Sequence, residues 1–100
     1  MTGACYVGMI RVRDDACWQE YVARVGGTVS LYGGTILFRG MHEQIMAGEK
    51  FTGVMPMERV VMLQFSDAAS ARRWHDSAEY QQLIPLRDRA ADVTLILYAA

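Results

Sequence analysis

Two histidines are the side chains of this 100-residue sequence best suited to acid–base chemistry. A neutral imidazole can accept a proton from a bound phenol or enol, because its pKa lies close to working pH. His75 follows Trp74 in a segment with helical spacing, about 40° around the helix from Ala71 at 100° per residue. This position is the edge of a buried stripe, where a histidine acts either as a general base or as a core-edge residue hydrogen-bonded to a neighbour. His75 is therefore the first candidate catalytic residue.

The second histidine, His42, lies towards the end of an apolar run, next to Glu43. It is either a second acid or base, or a strand-end residue near solvent. His42-Glu43 does not begin a zinc-protease motif, because the residue four positions on is Met46. Two histidines and two scattered cysteines lack metal-ligand spacing, and no glycine-rich phosphate loop is present, so we expect neither a metal nor a bound cofactor.

Four apolar runs of strand length have to position these side chains. They cover residues 4–13, 35–46, 60–65 and 94–98, and each carries apolar groups on both faces of the strand. Residues 47–57, between the second and third runs, are predicted to form an unusually apolar loop.

Helices are predicted between these strands. The first runs from a cap at Asp14-Asp15 to a stop at Gly33-Gly34, and Gly26-Gly27 is expected to interrupt it. The second begins at Ser66-Asp67, where a side-chain oxygen can accept from free backbone N–H groups. Two short helical turns follow, one after a capping box at 76–79 and one with Pro85 in its first turn.

The resulting order, βαββαβ, predicts one α+β domain over residues 1–100 with a ferredoxin-like fold. Two right-handed crossovers place the helices on one face of a four-stranded antiparallel sheet. The strands are apolar on both faces, yet the helices cover only one. A second copy of the same sheet is the simplest cover for the other face, so we expect a homodimer through the sheet face.

Composition excludes several classes of partner. A net charge of −1 disfavours nucleic acid, which requires a basic surface. No stretch approaches the roughly 20 apolar residues of a membrane span, so no membrane partner is expected. The first residues lack a cationic segment leading into a long apolar one, so we expect no secretory signal. Reduced Cys5 and Cys17 in a cytoplasmic protein are the simplest interpretation.

Several segments of the sequence resemble the DUF1330 family, over essentially the whole chain. They are Leu31-Tyr32-Gly33-Gly34, Leu37-Phe38-Arg39-Gly40, Glu58-Arg59-Val60-Val61, Gln64-Phe65-Ser66, Ala71, Trp74, Ser77-Ala78-Glu79-Tyr80-Gln81 and Leu86-Arg87. The resemblance implies the dimeric α/β-barrel, ferredoxin-like superfamily. Relatives in that superfamily include cofactor-free monooxygenases, isomerases, small cyclases and haem-degrading enzymes, so the resemblance implies a fold rather than a reaction. His75 departs from the family, which usually has an aromatic residue at that position.

Arg39 and Arg87 match positions that the family usually fills with arginine. A guanidinium can hold a carboxylate or an enolate through two parallel hydrogen bonds, pair with a neighbouring acid such as Glu43 or Asp88, or bridge the dimer. Tyr80 either packs the short helix with its hydroxyl on a backbone group, or serves as an auxiliary proton donor.

Together these residues predict a small cofactor-independent enzyme, an isomerase, cyclase or monooxygenase, that acts on a hydrophobic aromatic or polyketide-like molecule. His75 would be the general base, His42 or Tyr80 an auxiliary proton donor, and Arg39 or Arg87 the anion clamp. The pocket would lie between the sheet and the helices. Its expected walls include Trp18, Tyr21 and Trp74, which could also be ordinary core residues. The loop from Gly48 to Met57 would close the pocket with Phe51 and Met55.

Two other functions fit the same residues. The first is a non-catalytic homodimer that carries or senses a hydrophobic metabolite in the same pocket. The second is a haem-binding protein with His75 as axial ligand.

Overall fold

Four strands and four helices follow one another along residues 3–48 and 58–100, the part of the chain that the computed structural model describes. In chain order they are β1 (Ala4–Val12), α1 (Asp15–Leu31), β2 (Thr35–Met41), β3 (Arg59–Phe65), α2 (Ala68–Asp76), α3 (Ala78–Gln81), α4 (Ile84–Ala90) and β4 (Ala91–Ala99). This order confirms the predicted βαββαβ arrangement, with the second helical segment divided into three. None of the helices in these residues is long and apolar enough to cross a membrane.

The strands form one antiparallel sheet in the order β2-β3-β1-β4. At its centre, Val7 on β1 lies opposite Met62 on β3 and opposite Ile96 on β4. β4 begins three residues earlier than predicted, because its pairing with β1 continues to the register of Val12 opposite Ala91.

The core lies between the sheet and the helices. Strand side chains alternate between the two faces of a sheet, so one set of strand residues meets the helices and the other does not. The buried set includes Tyr6, Ile10, Leu63 and Phe65 from the strands, and Trp18, Tyr21, Val25, Val29, Trp74, Tyr80 and Leu86 from the helices. On the opposite face of β1, Cys5, Val7 and Met9 are only half-buried. We call this opposite side the open face of the sheet.

α1 continues without a break through Gly26-Gly27, so the interruption predicted there is wrong. Two glycines cost a helix about 1 kcal/mol each relative to alanine. Val25 and Val29, on either side of the pair, are both buried in the core. Packing of such an apolar stripe outweighs intrinsic propensity. The predicted stop is confirmed, because Gly33 has a φ of +78°.

β2 differs from the prediction in its length and in its register. It ends at Met41 rather than at residue 46, and a last backbone bond joins His42 N to Glu58 O at 2.7 Å. The pairing with β3 shifts between Ile36 and Phe38, which is a β-bulge. Beyond the bulge, Arg39 comes to lie on the same face as Ile36.

Because of the bulge, the residues at the end of β2 lie on the faces opposite to those that strict alternation from Ile36 would give them. Arg39 and Met41 pair with Val61 and Arg59, residues of β3 that share the helix-covered face with Leu63. Phe38 and Gly40 lie on the open face instead. Strict alternation would place Ile36 and Phe38 on the same face, whereas the bulge places them on opposite faces.

Asp67 caps α2, as the sequence predicts, by accepting a hydrogen bond from Ser70 N at 2.7 Å. This bond lowers the pKa of the Asp67 carboxyl below its ordinary value of 3.8. A carboxyl whose folded pKa is depressed stabilises the fold above its unfolded pKa, and that stabilisation is lost as pH falls through the folded pKa. We therefore expect Asp67→Ala to lower the urea midpoint at pH 7, and the difference from wild type to shrink below about pH 4.

Asp67→Asn is the matched control, because asparagine caps helices as well as aspartate but carries no titrating charge. Its urea midpoint should stay near wild type at pH 7 and should vary less with acid. Equal midpoints for wild type and Asp67→Ala at pH 7 would contradict the role of the cap.

Candidate functional site

A cavity of about 310 Å³ lies between α1 and the helix-covered face of the sheet. This volume is at the lower end of the roughly 300–1,000 Å³ of ligand pockets. Its walls are mainly apolar and include Trp18, Tyr21, Val25, Ile36, Leu63, Trp74, Tyr80 and Leu95. Trp74 and Tyr80 are 0% and 1% exposed and form the inner end, whereas Met41 is 64% exposed and marks the mouth. The cavity is therefore large enough, and apolar enough, to accommodate a small, largely hydrophobic molecule.

Two tyrosines that line the cavity meet through their hydroxyl groups. Tyr21 Oη and Tyr80 Oη are 3.0 Å apart, a hydrogen bond between α1 and α3. Arg87 on α4 donates from Nη1 to Tyr80 Oη at 3.0 Å and from Nε to Asp88 Oδ1 at 3.0 Å. We call Tyr21, Tyr80 and Arg87 the tyrosine–arginine chain.

The tyrosine–arginine chain leaves one hydroxyl hydrogen unused. Tyr80 Oη already accepts from Arg87, and only one of the two phenolic hydrogens is needed for the Tyr21–Tyr80 bond. Among the described residues, no acceptor engages the other hydrogen. Because both tyrosines line the cavity, this O–H can donate to an oxygen atom of a bound molecule.

Two members of the chain, Tyr21 and Arg87, have pKa values shifted upward. Burial, and to a lesser extent the neighbouring Tyr80, raises the pKa of the Tyr21 phenol far above its ordinary value of 10.0. Burial acts to lower the pKa of Arg87, but the bonds to Tyr80 and Asp88 outweigh it, and the net shift is upward. Tyr21 is thus a neutral donor at physiological pH, and Arg87 a permanent cation behind Tyr80.

His75 lies at the edge of the helix stripe, as predicted, but the structure does not bring it into the cavity. Its ring centroid is 5.5 Å from that of Tyr80 and 6.2 Å from that of Trp74, two residues that do line the cavity. Its side chain is 38% exposed, and Nδ1 is 3.6 Å from Asp76 Oδ1. A general base needs hydrogen-bond reach of the proton it removes, directly or through one water. His75 has no such direct reach into the cavity in this conformation.

The other predicted polar residues are divided between the cavity and the surface. His42 is exposed, lies beyond the end of β2, and does not line the cavity. Arg39 lines the mouth, because the bulge turns it towards the helices. The predicted alternative in which the Tyr80 hydroxyl bonds to a backbone group is wrong. Its hydrogen-bond partners are the side chains of Tyr21 and Arg87.

The predicted apolar walls are present where the structure describes them. Trp18, Tyr21 and Trp74 all line the cavity. Phe51 and Met55 lie outside the described residues.

Arg59, a cavity residue, was not predicted from the sequence. It begins β3, and its alternation with Val61, Leu63 and Phe65 places it on the helix-covered face. That alternation was the signal that could have identified it. No cluster of three or more His, Cys, Asp or Glu side chains suited to a metal ion occurs within residues 3–48 and 58–100.

The architecture and the cavity define an α+β protein with a cavity between the sheet and α1. The chain belongs to DUF1330, a family described as a domain of unknown function, which matches residues 4–100. The family predicted from the sequence is therefore confirmed. None of the curated proteins matches the chain.

Solved structures with the same fold confirm the ferredoxin-like architecture. The RPA0582 protein of unknown function from Rhodopseudomonas palustris is 15% identical with a TM-score of 0.79, covering 99% of this chain and 82% of that one. SnoaB, a cofactor-independent oxygenase from Streptomyces nogalater, is 12% identical with a TM-score of 0.68, covering 100% and 94%. A dabb family protein with a ferredoxin-like fold from Mesorhizobium loti is 12% identical with a TM-score of 0.65, covering 100% and 98%. At these identities the similarity establishes the fold alone.

Proposed function

We propose that this protein is a cofactor-independent enzyme that acts on a hydrophobic aromatic or polyketide-like small molecule through its enolate or phenolate. The observation that carries the proposal is the tyrosine–arginine chain on the wall of an apolar cavity. A preorganised donor in a site that excludes water stabilises negative charge as it develops on an oxygen atom. The fold is compatible with such chemistry, since one protein that shares it is a cofactor-independent oxygenase.

In the proposed reaction, the free hydroxyl of the chain donates to a carbonyl oxygen of the substrate. Loss of a proton from the adjacent carbon then gives an enolate, and Arg87 stabilises its charge through Tyr80. Return of the proton at another carbon completes an isomerisation. In a cyclisation the enolate carbon attacks a second carbonyl, and the alkoxide that forms takes the proton back. Both outcomes are redox-neutral and consume no co-reactant.

His75 is proposed as the general base, as the sequence predicts. Its contact with the Tyr80 ring keeps it beside the cavity wall, so it would take the proton through one intervening water or after its ring turns inward. His42 is a weaker candidate as an auxiliary donor, because it is exposed beyond the end of β2.

The second candidate function is non-catalytic binding of a hydrophobic molecule. The observation that favours it is the chemistry of the walls: no described residue that lines the cavity is a histidine, aspartate, glutamate, lysine or cysteine. A cavity without its own base can hold a ligand and leave it unchanged.

Incubation with a panel of phenols, quinones, polyketide-like ketones and fatty acids separates the two functions. The melting temperature identifies the ligands that bind, and mass spectrometry of the recovered small molecule shows whether each has been altered. Catalysis predicts a ligand that raises the melting temperature and returns as an isomer or a cyclised product. A stabilising ligand that always returns unaltered contradicts the enzyme and supports the binding protein.

We further propose that two copies associate through the open face of the sheet. Phe38, Met62, Val7 and Ile96 are successive partners across all four strands and form an apolar row on this face. Phe38 is 54% exposed, although it is a large apolar side chain. The protein measures 38 × 36 × 17 Å, so its broad face exceeds the roughly 800 Å² per partner of a standard interface.

A charge in the middle of the apolar row should abolish this association. Val7→Asp would place a carboxylate at the centre of the apolar row, where burying a charge against apolar side chains is costly, so we expect a monomer by sedimentation velocity at micromolar concentration. Ala23→Asp adds the same charge on the exposed side of α1 and should leave the dimer intact. A wild-type monomer, or a dimer that persists in Val7→Asp, would contradict the proposed interface.

A further inference from the structure

The mouth of the cavity carries two cations and no acid among the described residues that line it. Arg39 pairs with Val61, and Arg59 is two residues from Val61 on the same face of the same strand. Such diagonal neighbours lie roughly 7–8 Å apart, so two arginine side chains can reach one common anion between them.

Arg59 has an unused hydrogen-bond donor. Its Nε is buried and has no hydrogen-bond partner in the described part of the chain. The neighbouring Glu58 is engaged elsewhere, since its Oε1 accepts from Val12 N at 2.7 Å. A buried donor without an acceptor costs free energy, and a ligand that supplies an acceptor recovers it.

Asp15 holds Arg59 only weakly. Arg59 Nη2 and Asp15 Oδ1 are 3.7 Å apart, which is longer than a hydrogen bond, and the Asp15 side chain is 79% exposed. An exposed ion pair of this length contributes little. Arg39 is itself exposed and forms no ion pair within residues 3–48 and 58–100. Both guanidinium groups are thus free to bind an anion at the mouth.

We infer that the ligand of this cavity is a carboxylic acid whose carboxylate binds to Arg59 and Arg39. This inference rests on the proposed function in one respect, that the cavity is the ligand site. It adds a second point at which the protein holds the ligand, and it specifies that the ligand is negatively charged. The planar guanidinium fork matches a carboxylate in geometry, and hydrogen bonds between charged groups are roughly twice as strong as neutral ones.

The two ends of the cavity then define a substrate class. The inner end offers the hydroxyl donor of the tyrosine–arginine chain, and the mouth offers the two arginines. A molecule that satisfies both is planar and apolar in the middle, with a carbonyl or phenol oxygen at one end and a carboxylate at the other. Hydroxyaryl carboxylic acids and cyclic keto acids have this pattern.

Calorimetric titration of wild-type protein with 6-hydroxy-2-naphthoic acid and with its neutral amide tests the inference. The two probes share the ring and the phenol and differ only in charge at one end. At pH 7 we expect the acid to bind at least about tenfold more tightly than the amide, the effect of a single charge-assisted hydrogen bond. Equal affinities would overturn the inference and leave the cavity as a ligand site. Absence of binding by both probes would overturn the inference and the proposed function together.

Three variants test which residues cause the preference for the acid over the amide. In Arg59→Gln the affinity for the acid should fall by about tenfold or more to that of the amide, while the affinity for the amide stays constant. Arg59→Lys keeps the charge but loses the fork and should give an intermediate value. Arg72→Gln removes the same charge from an exposed site outside the cavity and should change neither affinity. A preference for the acid that survives in a folded Arg59→Gln protein would contradict the assignment.

Discussion

Tyr80→Phe is expected to lower kcat by about 10²–10³-fold, the usual effect of removing one donor from an oxyanion-stabilising site. The substitution deletes a single oxygen atom. That atom is the partner of both Tyr21 Oη and Arg87 Nη1, so its loss leaves the tyrosine–arginine chain without its middle member. The phenylalanine ring retains the packing against Trp74, whose centroid is 4.2 Å away. The measurement is kcat on the substrate found in the panel, with the melting temperature as the check on folding.

Two further variants make this prediction specific to the chain. Tyr21→Phe should also reduce kcat, and the double variant should lose little more than Tyr80→Phe alone, because residues that act as a unit are not additive. His75→Phe tests the base separately: the sequence predicts loss of turnover with folding intact. Wild-type kcat in a folded Tyr80→Phe protein would remove the chain from the mechanism.

Trp74→Ala is expected to destabilise the protein by about 3–5 kcal/mol, the range for a large aromatic residue removed from a core. Trp74 is fully buried, and the rings of Tyr6 and Phe65 lie 5.3 Å and 5.8 Å from it. Its indole Nε1 donates to Thr28 Oγ1 at 3.0 Å, which joins α2 to α1. The loss would therefore affect both layers of the domain. The measurement is the free energy of unfolding from urea titration.

Trp74→Phe and Thr28→Val divide this effect into its parts. Trp74→Phe keeps an aromatic ring in the core, and Thr28→Val removes the acceptor while keeping the shape of the side chain. Each should cost less than Trp74→Ala, because each retains most of the packing. A loss below about 1 kcal/mol for Trp74→Ala would show that this core does not depend on Trp74.

Local sequence patterns predicted most of the architecture, because the signals are short-range. Asp67 caps α2, Gly33 ends α1 with a positive φ, and Pro85 lies in the first turn of α4. Along β1, strict alternation separates Tyr6 and Ile10, which are buried, from the half-buried residues of the open face. Each of these features depends on a few neighbouring residues, so one sequence is sufficient to identify it.

The features that were missed depend on pairing between distant segments. The bulge in β2 exists only relative to β3, and it decides that Arg39 rather than Phe38 faces the helices. Helical periodicity placed His75 at the edge of the buried stripe of α2. Whether the His75 side chain reaches the cavity depends on the rings of Trp74 and Tyr80, which lie next to it. The tyrosine–arginine chain joins three helices, and no local pattern in the sequence reveals such a contact.

A crystal structure of the protein with bound 2-naphthol, a planar phenol that binds without the arginine pair, tests whether the tyrosine–arginine chain recognises the reacting oxygen. We expect the naphthol ring to lie between α1 and the sheet. Its oxygen should lie about 2.7–2.8 Å from Tyr21 Oη or Tyr80 Oη, the usual length of an O–H···O bond. A naphthol bound elsewhere, or one in the cavity whose oxygen points away from both tyrosines, would contradict the claim that this chain recognises the reacting oxygen.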